Sequence, residues 1–172
     1  PKNYEHNYLG PIPMRMGLEK SRNIITIQVA NEIGLNKIIE ITKRFGVNRN
    51  PQKLFSMVLG ATETTLDRMT NAYNMIINGG KMIRPYFIEV IKDRNGRIIY
   101  RRDNSNCPNC KVDNIDGDIN VPVPERQVKI VTDERSAYQM TSLLLSSAQR
   151  GTSRGTKVIG KIVGGKTGTT NS

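Results

Sequence analysis

The stretch Gly164-Gly165-Lys166-Thr167-Gly168-Thr169-Thr170-Asn171-Ser172 follows Lys161-Ile162-Val163 at the end of the 172-residue chain. The β-branched pair in that run predicts a strand over residues 161–169. Two adjacent glycines have no side chains and allow a backbone to approach a ligand closely. Alternate side chains of a strand share one face, so Lys166 and Gly168 lie on the same face, with the lysine directed at that ligand. The stretch therefore predicts an anion-binding strand.

The same stretch also fits a phosphate-binding pattern, because residues 160–167 match G-x-x-x-x-G-K-[ST] at every required position. A phosphate loop needs a strand before its first glycine and a helix that begins at its Lys-Thr pair, so that the helix amides face the phosphates. Here Gly-Thr-Thr-Asn-Ser follows the pair, and these residues have low helix propensity. A P-loop-like nucleotide-binding protein is therefore kept only as an alternative.

Two short motifs point to a different chemistry. Lys166-Thr167-Gly168 matches the K-T-G element of serine acyl-transferases that handle D-Ala-D-Ala peptides and β-lactams. Ser21-Arg22-Asn23 supplies an S-x-N element upstream, in the order these enzymes require. Their third element, the S-x-x-K that carries the nucleophile, is absent, because none of the serines in this sequence has lysine three residues later.

Six segments, spread over nearly the whole chain, resemble class A penicillin-binding proteins. They are Gly10-Pro11-Ile12, Leu18-Glu19-Lys20-Ser21-Arg22-Asn23, Asn71-Ala72-Tyr73, Asn78-Gly79-Gly80, Ala137-Tyr138-Gln139-Met140 and Gln149-Arg150-Gly151-Thr152. The resemblance implies an α+β fold of the β-lactamase/transpeptidase kind, with helices packed on an antiparallel sheet, present here in part. Residues 1–172 would form the C-terminal part of the transpeptidase domain, without the S-x-x-K segment and the last sheet strands.

By this resemblance, the reaction is peptidoglycan cross-linking. A serine is acylated by a D-Ala-D-Ala stem peptide and then deacylated by a peptidoglycan amine, and β-lactams inhibit it covalently. Ser21 would relay a proton between the missing lysine and the leaving amine. Asn23 would hydrogen-bond the donor peptide and orient that lysine. Lys166 would supply positive potential for the donor's carboxylate and the developing oxyanion.

The remaining roles fall on the residues after Lys166. The hydroxyls of Thr167 and Thr169 would hold the donor's carboxylate, and Gly168 would keep the strand surface low beside it. The backbone N–H of Thr169 would form half of the oxyanion hole, and the nucleophile's own N–H the other half. The resemblance implies no cofactor and no metal.

The family also implies a location. The intact parent would carry an N-terminal membrane anchor and a glycosyltransferase domain, and would work at the periplasmic face of the bacterial inner membrane. The 172 residues themselves contain no apolar run of about 18 residues and no signal peptide, so this part alone is expected to be soluble. A strand through Lys166 that lacks its sheet neighbours would be an exposed edge, and it predicts self-association.

The charge of the chain is strongly positive but evenly spread. Lys and Arg number 26 against 15 acidic residues, a net charge of +11. Residues 1–86 hold 12 basic and 6 acidic side chains, and residues 87–172 hold 14 and 9, so no single basic stripe is formed. There is no Trp to build a stacking platform. Nucleic acid is therefore not an expected partner, whereas a non-catalytic cell-wall or anion-binding module remains a second alternative.

Periodicity and capping residues predict the other elements. Residues 1–18 are expected to be an extended loop, because Pro11 and Pro13 block helix formation. Residues 23–33 give a mixed signal, with strand propensity over 24–27 and helical spacing of Ile25, Val29 and Ile33, and the resemblance favours a largely buried helix capped by Ser21. A helix over 36–46 is capped by Asn36, and a helix capped by Thr64, with Leu66, Met69, Tyr73 and Ile76 on its apolar face, ends at residue 78. A hairpin is predicted over 86–102, and a helix over 133–149 has Ala137, Met140 and Leu144 on its apolar face and Gly151 as its stop.

Residues 103–124 lack periodicity and predict a flexible loop. The two cysteines of the chain, Cys107 and Cys110, lie in this loop and are too few for a four-thiolate zinc site. They are expected to form a small local disulfide or to remain as two thiols. His6 is the single histidine, so neither a histidine-based dyad nor a histidine-rich metal site is expected, and His6 itself is expected at the surface.

Overall fold

The protein is described by a computed structural model, which covers residues 9–82, 84–102 and 128–168. The chain divides into two units, Pro1–Ile83 with Ile130–Ser172, and Arg84–Lys129. The predictions for His6, for residues 103–124 with Cys107 and Cys110, and for Thr169 concern residues outside the described ranges.

The first unit consists of helices gathered around one long helix. In chain order they are α1 Met14–Glu19, α2 Asn23–Ile33, α3 Leu35–Arg44, α4 Phe55–Val58, α5 Leu66–Ile77, α6 Glu134–Arg150 and a 3-10 helix, Arg154–Ile159. The long helix α6 contacts α1, α5 and the 3-10 helix, while α2 contacts α1, α3 and α4. This arrangement places the end of α1 and the segment after the 3-10 helix beside α6.

The α1 helix was not predicted, since residues 1–18 were expected to be a loop. Pro13 is the N-cap of α1, with φ −60° and ψ 146°, and therefore precedes the helix instead of interrupting it. The predicted helices over 23–33 and 133–149 are confirmed to within a residue at each end. Asp133 caps α6 by accepting from Ser136 N, 2.9 Å away, and hydrogen bonds from Ser136 hold the pKa of Asp133 below its ordinary value of 3.8.

Three predicted caps are wrong. Arg22 is the N-cap of α2 in place of Ser21, and α3 begins at Leu35, directly after Gly34, in place of a start at Asn36. The helix α5 begins one residue later than predicted, because Thr65 is its N-cap. In each case a neighbouring residue adopts the extended or glycine conformation that a helix start needs.

The buried apolar side chains of the first unit are mostly small. They are Ala30, Ala72, Met75, Val131, Ala137, Leu144 and Ala148. The predicted face of α6 is confirmed at Ala137 and Leu144, but α5 buries Ala72 and Met75 and leaves Leu66 84% exposed. The prediction that α2 is largely buried is wrong as well, because Ala30 is its fully buried apolar residue and Ile33 is 47% exposed.

The predicted strand over 161–169 is wrong for the residues that the structure describes, since 161–168 form no strand. A strand needs a neighbour to bond its alternate N–H and C=O groups, and this segment lies along a helix instead, where Gly165 N donates to Leu144 O at 3.1 Å. Self-association was predicted from the exposed edge of that strand. It stays a prediction, but the described residues around Lys166 form no strand edge that would support it.

The second unit contains the predicted hairpin, with β1 Val90–Lys92 and β2 Ile98–Arg101 paired antiparallel. The Asp93 carboxylate accepts from Asn95 N at 2.8 Å and from Arg97 N at 2.9 Å. Gly96 takes the positive φ, 81°, that the turn requires. Helices in one unit and an antiparallel hairpin in the other agree with the α+β class.

Two features are absent from the described ranges, a membrane-spanning helix and a metal site. Among the helices in these ranges, none has both the length and the hydropathy of a membrane span. The same ranges hold no group of three or more His, Cys, Asp and Glu side chains arranged to bind a metal ion.

Candidate functional site

The turn that joins α1 to α2 places Ser21 in an unusual conformation. Arg22 N donates to Gly17 O at 2.8 Å and Ser21 N donates to Leu18 O at 3.1 Å, which is the pair of bonds that defines a Schellman helix ending. The residue at the centre of this ending is normally glycine, but here it is Ser21, with φ 53°. A left-handed conformation costs a non-glycine residue about 1–2 kcal/mol. The contacts of the serine side chain therefore have to offset this cost.

The conformation of Ser21 leads to a stability prediction. Ser21→Gly is expected to be more stable than Ser21→Ala by about 1 kcal/mol, because glycine reaches φ 53° without a Cβ clash. Both variants lack the hydroxyl, so the loss of its contacts cancels between them. Urea unfolding of the two variant chains measures the difference. Equal stabilities would contradict the strained conformation.

Lys166 reaches that hydroxyl from the other end of the chain. Its Nζ donates to Ser21 Oγ at 2.8 Å, to Thr167 O at 2.9 Å and to Thr167 Oγ1 at 3.3 Å. The structure thus brings together the S-x-N and K-T-G elements, whose contacting residues are 145 positions apart. Desolvation of the partly buried side chain lowers the pKa of Lys166 below its ordinary value of 10.5.

The segment that carries Lys166 is held against α6. A Cβ added to Gly164 would lie 3.3 Å from Leu145 N, so this glycine permits close contact with the helix backbone. The next glycine, Gly165, donates its N–H to Leu144 O and accepts from Ser153 Oγ at 3.3 Å. Of the two glycines predicted to face a ligand, Gly164 instead faces α6, whereas a Cβ on Gly165 would meet open space.

The end of α6 also holds the end of α1. Arg150 donates to the carboxylate of Glu19 at 2.7 Å, and that side chain is only 8% exposed. Thr152 N donates to the backbone carbonyl of Glu19 at 3.0 Å. A Cβ on Gly151 would lie 2.3 Å from the same carbonyl oxygen, so only glycine fits there. Finally, Thr152 Oγ1 lies 2.7 Å from Thr167 Oγ1.

The predicted site residues are therefore placed as follows. Ser21, Lys166 and Thr167 are in contact, and Gly168 follows them with open space where a Cβ would be. Asn23 is the first residue of α2, two positions from Ser21. Sequence reasoning assigned no role to Arg150 or Thr152, and gave Gly151 only that of a helix stop. The resemblance of the Gln149–Thr152 segment was the signal that could have found them.

The alternative of a phosphate loop lacks its structural context. The 3-10 helix, not a strand, precedes Gly160, and within the described part of the chain no helix begins at Lys166-Thr167. A cavity of about 310 Å³ lies between the end of α6, the 3-10 helix and residues 160–163. Lys166 does not line it, and the contact between Ser21 and Lys166 is half-buried.

Residues 2–172 match the family described as the penicillin binding protein transpeptidase domain. The chain belongs to this family. It is 57% identical over 172 residues to penicillin-binding protein 1A of Rickettsia bellii, with 99% of this chain and 22% of the relative covered. Among solved structures, it is similar to the crystal structure of penicillin-binding protein 1A from Haemophilus influenzae, with 32% identity and a TM-score of 0.82.

The match with the Haemophilus structure covers all of this chain and 28% of that one. The fold is shared more widely: penicillin-binding protein A from M. tuberculosis, solved as an imipenem acyl-enzyme complex, is 17% identical with a TM-score of 0.62, over 90% of this chain and 36% of that one. The predicted transpeptidase-like α+β fold is confirmed by these comparisons. The chain spans about a fifth of the length of the curated relatives that it matches.

Proposed function

We propose that this chain supplies the S-x-N and K-T-G elements of a D,D-transpeptidase that cross-links peptidoglycan and is acylated by β-lactams. The observation that carries the proposal is the 2.8 Å contact between Lys166 Nζ and Ser21 Oγ. It joins the two motifs of the penicillin-binding family at one point, with a cation and a hydroxyl in direct contact.

The contact determines what the Ser21 hydroxyl can do. An ammonium only donates hydrogen bonds, so Ser21 Oγ accepts from Lys166 and directs its own hydrogen elsewhere. A hydroxyl that accepts a proton on one side and donates on the other is suited to proton relay. In the proposed reaction, Ser21 carries a proton between the lysine of the S-x-x-K element and the leaving amine.

The same face is suited to binding a carboxylate. Lys166 provides positive charge, Thr167 provides an exposed hydroxyl, and Gly165 and Gly168 leave open space beside them. D-Ala-D-Ala peptides and penicillins both end in a carboxylate, which this charge and hydroxyl would bind. Thr169 extends the set as a second hydroxyl and as the oxyanion N–H. Asn23 completes the site as the side chain that binds the donor peptide.

The nucleophile has to come from outside these residues, since the sequence contains no S-x-x-K. We place the full-length gene product at the periplasmic face of the bacterial inner membrane, with an N-terminal anchor and a glycosyltransferase domain, as the resemblance to class A proteins implies. Penicillin-binding protein A from M. tuberculosis, solved as an imipenem acyl-enzyme complex, supports acylation by β-lactams in this fold.

The test compares the chain alone with the full-length gene product. Incubated with benzylpenicillin, residues 1–172 are expected to show no covalent adduct, whereas the full-length product shows one adduct per molecule by intact-mass spectrometry. A stable adduct on residues 1–172 would contradict this account of the nucleophile. An unlabelled full-length product that is folded, as judged by circular dichroism, would favour the non-catalytic module instead.

A further inference from the structure

We propose that Thr152 is a positioning residue of this site: its hydroxyl orients that of Thr167, so that the Thr167 hydrogen is directed at the carboxylate of the ligand. The inference rests on the proposed function and extends it to a residue outside the S-x-N and K-T-G motifs. Thr152 would not touch the reacting atoms. It would act through Thr167.

The inference follows from the number of hydrogen bonds that the Thr167 hydroxyl can donate and accept. Thr167 Oγ1 lies 3.3 Å from Lys166 Nζ, which donates, and 2.7 Å from Thr152 Oγ1. A hydroxyl has one hydrogen and two acceptor sites. When a carboxylate binds and accepts the Thr167 hydrogen, both acceptor sites are filled only if Thr152 donates. Thr152 thus selects the arrangement in which Thr167 donates to the ligand, and it polarises that hydroxyl.

Thr152 is itself firmly placed. Its N–H donates to Glu19 O at the end of α1, and the preceding residues, Arg150 and Gly151, also contact Glu19. The turn with Ser21 begins at that point of α1. Thr152 therefore contacts both sides of the site: its N–H bonds the end of α1, where the turn of Ser21 begins, and its hydroxyl bonds Thr167, next to Lys166.

Because Thr152 and Thr167 are exposed, a role in positioning can be distinguished from a role in stability. Both Thr152 and Thr167 are exposed, so the bond between their hydroxyls competes with water and contributes little to folding. Without it, Thr167 Oγ1 keeps the longer, 3.3 Å bond from Lys166 Nζ, and the side chain samples the other staggered rotamers more often. The loss is expected in recognition of the ligand's carboxylate and not in the melting temperature.

The experiment uses the full-length gene product with two probes, benzylpenicillin and its methyl ester, which lacks the free carboxylate. Thr152→Val is expected to lower the acylation rate constant for benzylpenicillin about fivefold, the size of one neutral hydrogen bond. The rate for the ester and the melting temperature are expected to stay at the wild-type values. Thr152→Ser, which retains the hydroxyl, is the matched control and is expected to react with benzylpenicillin at the wild-type rate.

Two results would overturn the inference while leaving the proposed function intact. In one, Thr152→Val reacts with benzylpenicillin as fast as the wild type. In the other, it loses rate equally for both probes together with a lower melting temperature, which shows a purely structural role. A folded wild-type product that neither probe acylates would instead overturn the proposed function, and this inference with it.

Discussion

Lys166→Ala in the full-length gene product is expected to lower the rate of acylation by benzylpenicillin about a hundredfold or more, because losing one preorganised oxyanion-type interaction costs on the order of 3 kcal/mol. The substitution removes the cation that contacts Ser21 Oγ at 2.8 Å. Ser21→Ala, which removes the other partner, is expected to have a similar effect. Stopped-flow or gel-based labelling with a fluorescent penicillin measures both rates.

The matched control for this substitution is Lys161→Ala. Lys161 is an exposed lysine of the same segment, so its removal changes the net charge equally while leaving the Ser21 contact in place. It is expected to label within about twofold of the wild type, as the removal of an exposed charge generally has a small effect. Wild-type labelling by Lys166→Ala and Ser21→Ala would show that these residues do not form the site, even though the family is established.

The Lys166 prediction includes a pH dependence. Desolvation places the pKa of Lys166 below 10.5 in the folded chain, so the ammonium loses its proton at a lower pH than an ordinary lysine does. Attraction of a carboxylate is complete below that folded pKa and declines as the pH rises through it. The acylation rate of the wild type is therefore expected to fall on the alkaline side before pH 10.5, and that fall is expected to be absent in Lys166→Ala.

Gly151→Ala is expected to lower the free energy of unfolding of the chain by about 3 kcal/mol, the upper range for overpacking a closed site. The added Cβ would lie 2.3 Å from Glu19 O and 2.9 Å from Ser147 O. Both atoms belong to helix backbones, so relief requires α1 or α6 to move. The φ of Gly151 is −101°, which alanine adopts freely. The loss of stability would therefore come from the clash of the added Cβ with these backbone atoms and not from backbone strain.

Gly155→Ala is the control for this second substitution. Gly155 lies in the 3-10 helix, and a Cβ there meets nothing within 4 Å. Its unfolding free energy is expected to stay within about 0.5 kcal/mol of the wild type, as for other surface changes. Urea unfolding measures both variants. If Gly151→Ala proves as stable as the control, then α1 and α6 are not in contact at this point.

Several elements were predictable from sequence because their signals are local. The α6 helix has an apolar face led by Ala137 and Leu144, and it is flanked directly by an aspartate cap and a glycine stop. The hairpin turn depends on Asp93, Asn95 and Gly96, which lie within four residues. The S-x-N and K-T-G motifs were likewise recognisable from their residues and order alone, before any contact was known.

Other features could not be predicted because their causes lie far apart in the chain. Ile162 and Val163 have strand propensity, but a strand forms only where a neighbour bonds its backbone, and Gly165 donates to the helix carbonyl of Leu144 instead. Ser21 was expected to cap α2 through its side chain. It adopts φ 53° at the end of α1 instead, and its hydroxyl is engaged by a lysine 145 positions away.

The sequence by itself thus determined the family, the main helices and the hairpin, since caps, turns and hydrophobic periodicity act over a few residues. Only the tertiary structure decided how the two motifs meet. Glu19 and Arg150 are 131 positions apart, and no periodic pattern in the sequence links them. In the folded chain they form an ion pair, and with the backbone of Gly151 and the hydroxyl of Thr152 this pair connects α1 to the segment of Lys166. Close packing between distant segments depends on the shape of the folded chain, which local patterns do not encode.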